Sequence, residues 1–164
     1  MPYRICKSFE IESGHLLSKH PGACRYPHGH SRRVEVVFAA DALDERDMVC
    51  DFKTIRLALQ AFLSRWDHAL AINSTDPLLA PLRAAALPGM GDHLVVLENT
   101  DPTTEVMARR IFDFLKEEMR SGRGYQDSDG VGYRFPPGLR LQRVRVTETS
   151  SSWAEYEDVS DPKA

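Results

Sequence analysis

No run of apolar residues in this 164-residue chain approaches the roughly 20 needed to cross a bilayer as a helix. The opening stretch, MPYRICKSFEIESGH, alternates apolar with polar residues and lacks the apolar centre of a secretory leader. A cytoplasmic protein is expected. Cysteine is scarce: three residues, Cys6, Cys24 and Cys50, with no C-x-x-C pair among them, which excludes a disulfide framework and a zinc ribbon. A basic excess is missing too. Lys and Arg number 21 against 24 Asp and Glu, for a formal net charge of -3, so a general nucleic-acid binder is excluded and an anionic ligand would need a local basic pocket. No internal repeat is visible. The 42% hydrophobic and 27% charged residues suit one globular domain with a core of its own. It is expected over residues 1–158, with 159–164 a frayed tail.

Local periodicity divides the chain. Ile5, Phe9, Ile11 and Ser13 share one side of a strand over Tyr3 to Ser13, by alternation. Residues 17–27, rich in Pro, Gly and small polar groups, predict a loop. Val34, Val36 and Phe38 then mark a second strand, and the acidic stretch 41–47 a turn. From Asp51, a plausible N-cap, the apolar residues Phe52, Ile55, Leu59, Phe62, Leu63 and Trp66 recur at helical spacing to about Asp67. A short helix is expected over Leu78 to Ala86 and a short strand over His93 to Leu97. Pro102 and the Thr-Thr-Glu that follows open a second main helix running to about Arg120. Residues 121–138 predict a long exposed loop or hairpin tip. Strands over Leu139 to Thr147 and Ser152 to Glu157 close the chain. The order ββαβαββ fits an α+β domain with helices on one face of an antiparallel sheet.

Four of the six histidines lie between positions 15 and 30. His28 and His30 stand at i and i+2, so in a strand both imidazoles point to one side. His15 ends the first strand on the parity of Ile11 and Ser13, where an antiparallel neighbour brings it beside the pair. Three imidazoles with an open position suit a catalytic zinc, although His-x-His alone also fits a surface or hydrogen-bonded pair. His20 reads as solvated. Cys6 and Cys50 read as buried small residues. Cys24, in a polar loop four residues before His28, reads as a base or nucleophile beside a metal, a fourth zinc ligand or an inert thiol. Asp67 and His68 can form a proton relay or merely decorate a helix end. Glu105 suits the N-terminal dipole of its helix. Glu148 follows Val144 and Val146 on an apolar strand face, where a carboxylate needs partners; a guanidine-like ring edge with two N–H donors is one.

Taken in order, Phe9 to His15 (F-x-I-x-S-G-H), Cys24 to His30 (C-x-x-x-H-G-H), Met48 to Phe52 (M-V-C-D-F), Trp66 to His68 (W-D-H), Asn99 to Glu105 (N-T-D-P-T-T-E) and Val146 to Thr149 (V-T-E-T) resemble the 6-pyruvoyl-tetrahydropterin synthase family. Within it they resemble the bacterial 6-carboxy-tetrahydropterin synthases of queuosine synthesis. Each motif is weak alone; their ordered combination over residues 9–149 is specific.

The resemblance implies a tunnelling fold: a four-stranded antiparallel sheet with two helices on one face, closed into a barrel by oligomerisation as a trimer or hexamer. It implies His15, His28 and His30 as ligands of Zn2+, Cys24 as the catalytic cysteine, and Asp67 with His68 as the relay pair, usually supplied across a subunit interface. Glu148 matches the pterin anchor, and Glu105 an acidic residue with a mainly structural part and a possible substrate contact. The implied reaction is a lyase step on 7,8-dihydroneopterin triphosphate giving 6-carboxy-5,6,7,8-tetrahydropterin, triphosphate and acetaldehyde. Arg32, Arg33, Lys19 and Arg25 are candidates for the triphosphate. Cys24 stands four residues before the first His of H-G-H, as in the carboxy-forming branch. The alternative within the class is 6-pyruvoyl-tetrahydropterin synthesis without side-chain cleavage. A zinc hydrolase and a non-catalytic zinc protein are the readings outside it. Residues 74–92 and 121–138 are longer than the compact bacterial enzymes need.

Overall fold

The computed structural model describes residues 2–85 and 87–157; the tail expected to fray, and Ala86, lie outside them. Strand β1 (Tyr3–His15) pairs antiparallel with β2 (His28–Ala40) along its whole length, from Tyr3 opposite Ala40 to His15 opposite His28. Helix α1 (Phe52–Ser64) follows, then β3 (Ala69–Asn73), the short α2 (Leu79–Ala84), β4 (Leu94–Leu97) and helix α3 (Thr104–Ser121). A two-stranded hairpin, β5 (Gly124–Gln126) and β6 (Gly132–Arg134), precedes β7 (Arg140–Thr149) and β8 (Ser152–Glu157). The main sheet runs β4-β3-β1-β2-β7-β8.

The expected α+β architecture is present: four antiparallel strands, β1, β2, β7 and β8, with α1 and α3 on one face. The sheet is nevertheless larger than expected. β3 pairs parallel with β1, and β4 parallel with β3, adding two short strands at one edge. Leu16, Ile72 and Leu79 form a small second core there, with Leu70, Leu82, Leu94 and Val96 packed against it. Residues 74–92 thus carry α2 over the parallel edge, which accounts for their length.

The helices form where their caps and apolar stripes agree. The Asp51 side chain accepts from the Lys53 N–H at the start of α1, and Thr103 caps α3 through the Val106 N–H. α3 ends at Gly122, whose φ of 63° is the left-handed conformation that glycine adopts without cost. Ile55, Leu59, Ile111 and Leu115 meet Val34, Val36, Phe38, Val144 and Val146 in a core with no solvent exposure at any of these positions. Each such side chain contributes about 1.5–3 kcal/mol relative to exposure. The stretch 121–138, expected to be a long exposed loop or hairpin tip, forms the β5–β6 hairpin, but Phe135 at its end is buried and stacks on Phe38 with ring centroids 5.8 Å apart.

The opposite sheet face is charged. Arg145 donates to Glu155 at 2.8 Å and lies over the Trp153 ring at 4.0 Å. Cys6, expected to be buried, is exposed because its even position in β1 turns it away from Phe9 and Ile11. Cys50 is buried as expected, and burial pushes its thiol up to about 12.

Candidate metal centre and active site

Directly opposed residues of an antiparallel pair share a face. His15 opposes His28 and Ser13 opposes His30, so the pairing of β1 with β2 gathers all three imidazoles beside the loop that joins these strands, on the helix-covered side. Their ring centroids lie 4.5, 5.1 and 5.0 Å apart. Glu148 joins them from β7: its Oε1 is 3.3 Å from His30 Nε2 and 3.8 Å from His15 Nε2. The β7–β8 register shifts between Thr147 and Thr149, which makes Glu148 the extra residue of a bulge, a device that re-aims a side chain. One ligand atom from each of these four residues lies within 4.8 Å of all the others.

The tautomers follow from the partners. His15 Nδ1 lies 2.8 Å from the Pro102 carbonyl, and His28 Nδ1 lies 2.8 Å from that of Tyr26. A carbonyl only accepts, so both Nδ1 atoms carry hydrogen. Arg32 Nη2, 3.3 Å from His15 Nδ1, then faces another donor and makes no hydrogen bond to it. The two Nε2 lone pairs face each other at 3.0 Å. Burial, helped by the Arg32 charge and opposed by the Pro102 bond and Glu148, lowers His15 to about 4. Burial, with the Arg32 charge, also lowers His30. Neutral imidazoles with opposed lone pairs repel unless a cation lies between them. Among the described residues, His30 Nε2 is buried with no hydrogen-bond partner. A zinc–nitrogen bond of about 2.0–2.1 Å corresponds to a ligand-to-ligand span of about 3.3 Å in a tetrahedral site. The residues present therefore fit a divalent metal, with imidazole donors that suit zinc among other ions.

Glu148 is held ionised. Burial opposes its charge, but the Thr104 hydroxyl and the Arg32 guanidinium outweigh that and keep its carboxyl below the usual range. Thr104 donates to Glu148 Oε2 and receives Arg32 Nη1 at 2.7 Å, while Arg32 Nε donates to Ser13 at 3.0 Å. Arg32 is only 3% exposed. Its place two residues after His30 carried that signal, since it shares the imidazoles' parity.

The remaining candidates are dispersed. Cys24 sits half-buried in a short turn over Ala23–Arg25 and is not among the four clustered residues. Asp67 and His68 follow α1; His68 Nδ1 lies 3.1 Å from Asp67 Oδ2, and Asp67 Oδ1 accepts from the Glu12 N–H at 2.9 Å. That backbone bond is the main reason the Asp67 carboxyl is lowered. His68 has a φ of 55° and lines an open cleft of about 530 Å³ with His30, Glu12, Gly14 and Gly29. The same cleft contains His93, which the sequence did not single out; its Nδ1 lies 2.9 Å from the His68 carbonyl. Glu105 is exposed in the first turn of α3. Of the basic candidates, Lys19 Nζ donates to the Asn99 carbonyl, Arg33 contacts Ser8 and Glu35 on the opposite face, and Arg25 is exposed. His20 is exposed, as expected, and accepts from the Gly22 N–H.

Residues 4–159 match the family model described as 6-pyruvoyl tetrahydropterin synthase. The chain belongs to this family. Among its relatives is the 6-carboxy-5,6,7,8-tetrahydropterin synthase of Aquifex aeolicus, 28% identical over 96% of this chain and 99% of the relative. The Synechocystis protein of the same name is 32% identical over 93% of this chain and 91% of its own. Solved structures share the fold: an uncharacterized protein from Wolinella succinogenes at a TM-score of 0.76, 20% identical, covering 96% of this chain and 99% of that one. The Caenorhabditis elegans 6-pyruvoyl tetrahydropterin synthase follows at 0.62 and 16%, covering 96% of each. Among the described residues, no helix of this family member is long and apolar enough to cross a membrane.

Proposed function

We propose that this chain is a zinc-dependent lyase that converts 7,8-dihydroneopterin triphosphate to 6-carboxy-5,6,7,8-tetrahydropterin, releasing triphosphate and acetaldehyde. The observation that carries this reading is the convergence of neutral imidazoles, with opposed His15 and His28 lone pairs and an unpartnered His30 Nε2, beside an ionised carboxylate. The names of the relatives that span nearly the whole chain supply the substrate class.

His15, His28 and His30 hold the metal. Bound there, zinc supplies Lewis acidity to the hydroxyl groups of the pterin side chain. Glu148, fixed by Thr104 and Arg32, accepts the two N–H donors of the pterin's guanidine-like edge, a charge-assisted pairing. Cys24 takes a proton from the side chain, and His68 backed by Asp67 is the second acid–base group. His68 is 72% exposed, which suits delivery to a neighbouring subunit's site in a trimer or hexamer. Glu105 has a mainly structural part at the start of α3. The buried Arg32 serves Glu148 and not the triphosphate, which leaves Lys19 and Arg25 as the candidates there.

The test is incubation of zinc-loaded protein with 7,8-dihydroneopterin triphosphate, followed by mass analysis of the pterins and an acetaldehyde assay. A 6-carboxy product with acetaldehyde is expected. A 6-pyruvoyl product without acetaldehyde would transfer the chain to the other branch of the family, and unchanged substrate would defeat the lyase reading.

A further inference from the structure

Asp101 and Asn73 have no part in the chemistry above, yet both are buried, at 8% and 0% exposure. A buried carboxylate persists only where its oxygens are satisfied. Oδ1 accepts from Asn73 Nδ2 at 2.8 Å and Oδ2 from the Lys19 backbone N–H at 2.8 Å. The Lys19 bond and the chain itself lead to different parts of the site. Lys19 lies in the loop that carries Cys24, which is closed on itself by the Leu17 N–H to the Cys24 carbonyl at 3.0 Å. On the other side, Asp101 directly precedes Pro102, whose carbonyl accepts from His15 Nδ1. Proline has no N–H with which to anchor that peptide, so the side chain of the residue before it does so. The turn before it is held in an uncommon conformation, with Asn99 at a φ of 49°, and such a residue needs its surroundings to hold it.

We infer that Asp101 is a positioning residue that locks two separate parts of the site with one carboxylate: the His15 imidazole through Pro102, and the Cys24 loop through Lys19. Asn73 fixes the carboxylate from the core side, with its own Oδ1 occupied by the Thr75 N–H and hydroxyl. The need for His15 and Cys24 to keep a fixed relation rests on the function proposed above; the clamp itself is read from the hydrogen bonds.

The test uses the full chain and two readouts that involve no pterin. One is zinc affinity, by competition with a chromophoric chelator. The other is the rate of Cys24 alkylation by iodoacetamide, mapped by peptide mass, with exposed Cys6 as a reference in the same molecule. Asp101→Leu removes both bonds and is expected to weaken zinc about 10- to 100-fold, as loss of an outer-shell partner does, and to raise the Cys24-to-Cys6 rate ratio several-fold. Asp101→Asn keeps an acceptor for Asn73 but turns an N–H toward Lys19, so the ratio should rise with zinc affinity close to wild type. Asn73→Ala should do the reverse. The inference is overturned if both readouts stay at wild-type values in Asp101→Asn and Asn73→Ala, or if they move only in proportion to the unfolded fraction seen by circular dichroism. Should Asp101→Leu fail to fold, the milder pair carries the test. A wild-type protein that takes up no zinc would defeat the functional reading, and the clamp would then be judged from Cys24 alone.

Discussion

His15 and His28 face each other through their Nε2 atoms at 3.0 Å while each ring's Nδ1 donates to a backbone carbonyl, so in the neutral rings the two Nε2 lone pairs oppose each other. The contact is unfavourable until a cation fills it, so metal should stabilise the folded chain. One equivalent of zinc is expected to raise the melting temperature, with a gain of about 4 kcal/mol when free metal is 1,000 times its Kd. His28→Ala should abolish the gain by weakening zinc beyond the roughly 10- to 100-fold typical of an outer-shell change. Calorimetry with and without metal decides it. Equal melting temperatures would mean the facing imidazoles are not a metal site.

Glu148 offers two chemistries from one position. Its Oε1 lies 3.3 Å from His30 Nε2, within reach of a fourth-ligand role, yet Thr104 and Arg32 hold the carboxylate by its other oxygen. Glu148→Gln preserves shape and removes charge. If the carboxylate anchors the pterin, zinc stoichiometry and affinity stay near wild type while substrate binding weakens by about 1.5–3 kcal/mol, the usual range for a hydrogen bond to a charged group. Zinc titration beside pterin fluorescence separates the outcomes. Loss of zinc with Glu148→Gln would instead make the carboxylate a ligand.

What the sequence disclosed depended on whether a feature was local. Alternation in β1 and β2 placed Phe9, Ile11, Val34 and Phe38 correctly, and the same parity rule brought His15, His28 and His30 to one face. β3 escaped notice because it opens on Ala69–Ile72, a continuous apolar run without alternation, as suits a strand flanked by two parallel neighbours. Phe135 lies in a stretch rich in Gly, Ser, Asp and Pro, and its core position depends on hairpin pairing that composition does not encode. Arg32 shares the imidazoles' parity, so its inward direction was legible, but its partners Thr104 and Glu148 were not, since both are distant in the chain. Asp101 was hidden for the same reason: its partners Asn73 and Lys19 lie far from it in the chain.

Lys53 and Asp127 tie the β5–β6 hairpin to the start of α1. The Lys53 ammonium, with the N–H groups of Val131 and Asp129, pulls the Asp127 carboxyl down from 3.8 to about 2. A folded-state pKa below the unfolded value means the tie contributes fully above about pH 4 and is lost as pH falls through about 2. Protection factors of the β5 and β6 amides should therefore drop between pH 5 and pH 2 before those of β1 and β2 do. Hydrogen exchange by NMR gives the comparison. In Lys53→Met the hairpin should already be less protected at pH 5, with a smaller further loss on acidification; unchanged protection across that range would remove the ion pair from the account.

Cys24 decides between carbon-centred chemistry and simple hydrolysis. A hydrolase built on the three imidazoles would use water as nucleophile and have no need of a thiol in the 17–27 loop. The lyase reading needs a base there, and the structure places Cys24 half-buried, outside the four residues whose ligand atoms converge. Cys24→Ala should leave zinc binding and melting temperature near wild type, since among the described residues no side-chain hydrogen bond of Cys24 supports the fold. Turnover should fall by about 10²–10⁴, the usual contribution of one positioned acid–base group, with KM changing far less than kcat. Equal losses of zinc and rate would mark Cys24 as a ligand, and retention of full rate would remove it from the mechanism. Cys6→Ala, on the charged face, is the control and should change neither zinc binding nor rate.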